Sequence, residues 1–116
     1  MHARARLGRA VEMAVADLYR RDGFAVERNF RSGRIEVDVI ARRPGLIVFV
    51  EVKARTSDRF GSPAEAVTPL KQGRIRKAAG AWLAQNGPSR VAVRFDVVSA
   101  IVRRGGVELT RIPDAF

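Results

Sequence analysis

The chain contains no cysteine, and its one histidine, His2, stands beside the start. Thiolate nucleophiles, cysteine-based zinc sites and a Ser-His-Asp triad built on an internal histidine are therefore excluded. No apolar run approaches the roughly 20 residues that span a bilayer. Met1-His2-Ala3-Arg4-Ala5-Arg6 is basic but lacks the long apolar stretch of a signal peptide. A cytoplasmic protein without a membrane partner is the expectation. Internal repeats, low-complexity tracts and linkers are also missing. Acid is the scarce charge: 12 Asp and Glu stand against 22 Lys and Arg, a formal net charge of +10. That balance favours polyanions, chiefly nucleic acid, and DNA first among them. The predominance of arginine over lysine suits bidentate phosphate recognition, although a GC-rich genome would raise arginine as well.

What is present is enough for one core. With 116 residues, 47% of them hydrophobic, a single domain over 1–116 is expected. The most informative stretch is Glu36-Val37-Asp38 followed by Glu51-Val52-Lys53. These charges lie inside two short runs rich in Val, Ile and Phe, joined by Pro44-Gly45, which read as two strands and a turn. In a hairpin centred on Pro44-Gly45, Arg43 pairs with Leu46, Asp38 falls opposite Glu51, and Glu36 falls opposite Lys53. Alternation then puts all four charges on one face. The other face carries Ile35, Val37, Val39, Ala41, Val48, Val50, Val52 and Ala54. An odd-numbered loop would slip the register and break this arrangement.

Two opposed carboxylates repel unless something positive lies between them. Asp38 and Glu51 offer hard oxygen ligands of the kind Mg²⁺ or Mn²⁺ takes. The candidate metal positions are Asp38, Glu51, Val52 and Glu36. Lys53 beside the ion would orient an attacking water or neutralise charge building up on a phosphate. The plainer reading is a cross-strand Glu–Lys pair that solubilises a sheet face.

The surrounding elements follow from periodicity. Leu7 to Arg21 reads as a helix with Leu7, Val11, Ala14, Val15 and Leu18 inward, closed by Asp22-Gly23. Glu12 borders that stripe and faces either the strands or water. Phe24 to Arg31 reads as a strand with Phe24, Val26 and Phe30 inward. Thr56 to Pro63 reads as a loop. A second helix spans Pro69 to Gln85, with Thr68 as N-cap and Ile75, Ala78, Ala79, Trp82 and Leu83 as its core stripe. Lys71, Arg74 and Lys77 form a basic ridge on it, for phosphate contact or mere solvation. Asn86-Gly87-Pro88 ends the helix. Val91 to Val102 reads as one or two strands, Arg103-Arg104-Gly105-Gly106 as a turn, and Val107 to Ile112 as the last strand. Asp96 is either a further acid near the site or a partner for Arg94. The order is α-β-β-β-α-β-β, a mixed sheet with helices packed against it.

These residues resemble the PD-(D/E)XK nuclease superfamily, with Asp38 as first acid and Glu51-Val52-Lys53 as the (D/E)XK element. The whole chain is similar to the YraN-type family of small bacterial proteins. The matching segments begin with Leu7-Gly8-Arg9 with Glu12, Asn29-Phe30-Arg31, and Glu36-Val37-Asp38-Val39-Ile40-Ala41. They continue through Val48 to Arg55, Phe60-Gly61-Ser62-Pro63, and Ala66-Val67-Thr68-Pro69 with Lys71-Gln72. Arg94-Phe95-Asp96-Val97 and Ala115-Phe116 complete them. Two glycines of the family pattern are replaced, by Ile35 before Glu36 and by Val11 before Glu12. The resemblance implies a restriction-endonuclease-like α/β fold with Asp38, Glu51 and Lys53 as the central trio. It implies Glu12 as an additional acid and Gln72 as the polar helix residue near the site.

Three functions compete. The first is a Mg²⁺- or Mn²⁺-dependent nuclease acting on DNA, on branched or single-stranded forms. The spacing of its acids is similar to that of archaeal Holliday-junction resolvases. A homodimer suits such an enzyme, because two cuts need two sites. The second is a non-catalytic nucleic-acid-binding module of the same fold. The third is an interaction protein that docks on an acidic partner. In the first two, Arg31, Arg55, Lys71, Arg74 and Lys77 are the expected phosphate contacts.

Overall fold

The computed structural model describes residues 2–56 and 67–116, with the backbone alone for 2–7. The side chain of Leu7 and most of the expected Thr56–Pro63 loop, with the Phe60-Gly61-Ser62-Pro63 match, lie outside the described residues. Helix α1 spans His2–Arg21 and is followed by strands β1 (Ala25–Ser32), β2 (Ile35–Arg43) and β3 (Leu46–Arg55). Helix α2 (Pro69–Asn86) leads to β4 (Ala92–Arg103) and β5 (Gly106–Ile112). The order α-β-β-β-α-β-β is the expected one. The five strands form one sheet in chain order. All neighbours are antiparallel except β3 and β4, which run parallel and are connected through α2.

The two helices cover opposite faces. Burial on both faces explains why β3 reads Leu46-Ile47-Val48-Phe49-Val50 without polar interruption. Ile47 and Phe49 pack with Ile75, Ala78, Ala79 and Trp82 of α2. Val48 and Val50 pack with Val15 and Tyr19 of α1. Helix α2 starts where expected. The Thr68 side chain accepts a hydrogen bond from the Lys71 backbone N–H, and Pro69 fills the first turn. It ends on Gly87, whose φ of 58° is left-handed and whose N–H donates to the Leu83 carbonyl. The inward stripe of α1 differs from expectation. Val11, Val15, Ala16 and Tyr19 are buried, whereas Ala14 and Leu18 are half-buried. The helix is turned so that the Tyr19 hydroxyl reaches Asp96 at 2.6 Å.

The β2–β3 hairpin keeps the expected register from Arg43↔Leu46 to Val39↔Val50. Pro44-Gly45 makes the connection, with Gly45 at φ 82°, the backbone a type II turn requires at that position. Two expectations fail beyond Val39. The ladder stops before Asp38 and Glu51 or Glu36 and Lys53 can pair. The uniform apolar face also fails: Val37 and Ile35 pack in the α2 cluster, while Val39 and Ala41 pack in the α1 cluster. Ala54 is exposed. The strand has changed faces between Val37 and Val39, and Asp38 is the residue at the change.

Candidate functional site

The change of face coincides with a gap in the neighbouring ladder. The β1–β2 ladder pairs Arg28 with Val39 and Phe30 with Val37, and skips Asn29 and Asp38. Asn29 takes φ 59°, a left-handed backbone that asparagine tolerates better than most residues. One left-handed residue in a strand interrupts the alternation. On the other side of β2, the strand parts from β3 at the same level. There the Asp38 carboxylate replaces the lost ladder bond, with Oδ2 accepting from the Val52 N–H at 2.8 Å. Asp38 is therefore fixed by main chain on a rigid sheet, where three strands lose their regular pairing.

Acids converge on it from two elements. Glu12 of α1, Glu36 and Asp38 bring carboxylate oxygens within 4.8 Å of one another. Glu12 also hydrogen-bonds the Asn29 side chain. Burial first, and then the neighbouring Glu51 carboxylate, push the Asp38 carboxyl up to about 7. The Val52 N–H works against this, and Glu12 and Glu36 add to the rise. Glu12 is also raised, by burial and then by Glu36, against the pull of Asn29 and Arg28. Four acids thus share a small volume, and burial together with the other three raises Asp38.

Cations border the cluster on the α2 side. Lys71 Nζ lies 2.7 Å from Glu51 Oε1, and the Glu51 side chain is only 7% exposed. Lys53 is held below its ordinary range by burial and by the adjacent Lys71. Burial would lower Lys71 too, but hydrogen bonds to Glu51 and Lys53 outweigh it and raise the group. Arg31 closes the outer side, 3.0 Å from Glu36.

The structure brings Asp38, Glu36 and Glu12 together, with Glu51 and Lys53 adjacent. Glu51 faces Lys71 across the sheet-to-helix contact rather than pairing with Asp38 across the hairpin. Val52 takes part through its N–H. Gln72 donates from Nε2 to the Val67 carbonyl at 3.0 Å and braces the start of α2. Arg31 is an ion-pair partner within the site. Lys71 turns inward while Arg74 and Lys77 stay exposed, which splits the ridge. Arg55 is half-buried near the end of β3. Asp96 is not part of the cluster. It accepts from Arg94, Tyr19 and the Asp114 N–H, the alternative role weighed for it. Asn29 and the inward turn of Lys71 were missed. The first had a signal in the sequence: an asparagine in the middle of an otherwise regular strand.

A mixed α/β sheet protein with a carboxylate cluster at a gap in the pairing of its second strand is the class these features define. The family described as "Uncharacterised protein family UPF0102" matches residues 11–100, and the chain belongs to that family. It is 46% identical over 112 residues to a UPF0102 protein of Mycolicibacterium vanbaalenii, covering 95% of this chain and 93% of that one. A UPF0102 protein of Hahella chejuensis is 43% identical over 111 residues, 95% of this chain and 89% of its own. One from Geobacter metallireducens is 40% identical over 116 residues, 100% of this chain and 95% of its own. No helix among the described residues is long and apolar enough to cross a membrane.

Proposed function

We propose that this protein is a divalent-metal-dependent nuclease of the PD-(D/E)XK kind that hydrolyses phosphodiester bonds in DNA. One observation carries the reading. Asp38 is anchored by the Val52 N–H among Glu12, Glu36 and Glu51 and pushed up to about 7, on a chain of net charge +10. Such a cluster is stabilised by a positive charge at its centre, and its oxygen donors fit a hard dication. Mg²⁺ or Mn²⁺, when bound, would supply Lewis-acid polarisation of a phosphate and a more acidic water. Asp38, Glu36 and Glu12 would hold it, and Glu51 would join if Lys71 moves aside. Lys53 would set its ammonium against charge growing on the phosphate. The basic surface would hold the strand by counterion release.

The test is cleavage of supercoiled, single-stranded and branched DNA in Mg²⁺ or Mn²⁺, beside Asp38→Ala and Lys53→Ala. The expected result is cutting that drops by about 10²-fold or more in each variant, with DNA binding retained. No cutting of any substrate with either ion would overturn the reading. A second reading, a non-catalytic nucleic-acid-binding protein, is favoured by the Lys71–Glu51 contact, which already neutralises the second acid of the motif. Binding without cutting under every condition would select it.

A further inference from the structure

Beside the acid cluster, a cavity of about 810 Å³ opens between the β1–β2 turn and the first turns of α2. Ile35 and Ile75 give it an apolar wall, and Leu70, 68% exposed, adds aliphatic surface at its mouth. Arg34, Lys71 and Arg74 surround it with positive charge. Arg34 and Arg74 are exposed and have no ion-pair partner among the described residues. Two lining residues belong to the acid site as well. Glu36 lies within 4.8 Å of Glu12 and Asp38, and Lys71 is 2.7 Å from Glu51. A ligand lying in the groove therefore ends at the acids.

We propose that this groove seats an unpaired segment of a nucleic-acid strand, with its phosphates on Arg34 and Arg74 and its sugars or bases against Leu70 and Ile35. The inference rests on the nucleic-acid reading above and specifies the form of the substrate. Size is the first argument. Cavities of roughly 300–1,000 Å³ enclose small-molecule ligands, so this one suits a nucleotide or two and not the width of a duplex. Mixed chemistry is the second. A duplex offers phosphates outside and keeps its bases stacked inside, so it has little use for Ile35 and Leu70. An unpaired strand exposes both phosphate and base. The described lining residues include no aromatic ring. Charge and aliphatic contact then hold the strand, which gives weak sequence preference and strong salt dependence.

The test is fluorescence anisotropy in EDTA, where nothing is cut, with a labelled oligothymidylate and a blunt duplex of equal length. The wild type binds the unpaired strand more tightly. Reversing both charges (Arg34→Glu with Arg74→Glu) weakens that binding at least about tenfold and lowers the salt slope by about 1.4, at roughly 0.7 per phosphate on a single strand. Both positions are exposed, and a thermal melt matching wild type confirms folding. Unchanged oligothymidylate binding in the double variant would overturn the proposal. So would equal binding and equal loss on the duplex, or equally strong competition by poly-glutamate, which would point to an acidic peptide. The two readings fail separately. Groove-dependent binding without any cleavage removes the nuclease and keeps the groove. Cleavage with an unchanged KM in the double variant removes the groove and keeps the nuclease.

Discussion

Two aspartates show what separates a structural carboxylate from one available for chemistry. Asp96 is fully buried, and its partners use both oxygens. Tyr19 donates at 2.6 Å, Arg94 donates twice at 2.8 and 2.9 Å, and the Asp114 N–H donates at 3.0 Å. Burial and then Asp96 raise the Tyr19 hydroxyl, and the same carboxylate raises Arg94. Asp96 thereby ties α1, β4 and the chain end into one unit. Nearby, Ala115 donates to Phe95 and Phe116 stacks on that ring at 5.2 Å. Asp38 is half-buried and receives one main-chain N–H, with Glu12, Glu36 and Glu51 around it and Lys53 and Lys71 within electrostatic reach. One site is complete without a ligand. The other leaves Asp38 with no ion-pair partner among the described residues.

The sharpest way to break this comparison is the pH dependence of stability. Asp38 has a folded pKa of about 7 against an ordinary 3.8. The folded state therefore binds more protons than the unfolded chain between those values. Stability from this group is fully present below 3.8 and is lost as pH rises towards 7. At about 1.4 kcal/mol per pH unit, the loss reaches roughly 4 kcal/mol. Glu12, also raised, acts in the same direction. Urea unfolding from pH 4 to pH 8 in EDTA should show the decline, and Asp38→Asn should flatten it and exceed wild type at pH 8. Mg²⁺ or Mn²⁺ should restore wild-type stability at pH 8 and have little effect at pH 4. A flat wild-type profile would mean that the acids are no less satisfied than Asp96.

The same substitution at the other aspartate should have the opposite sign. Asp96→Asn removes the charge that Arg94 and Tyr19 were placed to meet, and sets amide hydrogens against existing donors. Breaking a buried, hydrogen-bonded pair costs about 3 kcal/mol. The unfolding free energy from urea titration should fall by that amount at pH 8, where Asp38→Asn raises it. A neutral outcome at Asp96 would remove the contrast.

Much of this architecture is legible in the sequence. The order of elements, the Thr68 cap, the Gly87 stop and the register at Pro44-Gly45 all depend on local chemistry that the residue types carry. The acids at 12, 36, 38 and 51 are legible as well. Their mutual arrangement is not. Strict alternation along β2 predicts one charged face, but Val37 and Val39 pack in different clusters, and Asp38 between them lies opposite the left-handed Asn29 of β1. Nothing in the sequence of β2 itself signals that change. Helical spacing groups Lys71 with Arg74 and Lys77 as one basic ridge. The inward turn of Lys71 depends on the distance between α2 and β3, which only tertiary packing determines.

Lys71 provides the finest test, because it makes Glu51 resemble Asp96 more than Asp38. With Lys71 in place, Glu51 has a cation at 2.7 Å and is structurally satisfied. Lys71→Met keeps most of the aliphatic stem and removes that cation. The Lys71 side chain is 40% exposed, so water screens the pair and the loss should be only about 1 kcal/mol in EDTA. Glu51 then joins the unsatisfied acids. The stabilisation supplied by a fixed Mn²⁺ concentration should grow relative to wild type, as read by thermal melts with and without the ion. Growth would show that Lys71 occupies the position a dication would take beside Glu51. An unchanged or smaller Mn²⁺ effect would show that Glu51 belongs with Asp96 among the structural acids, and would leave Glu12, Glu36 and Asp38 to hold the ion without it.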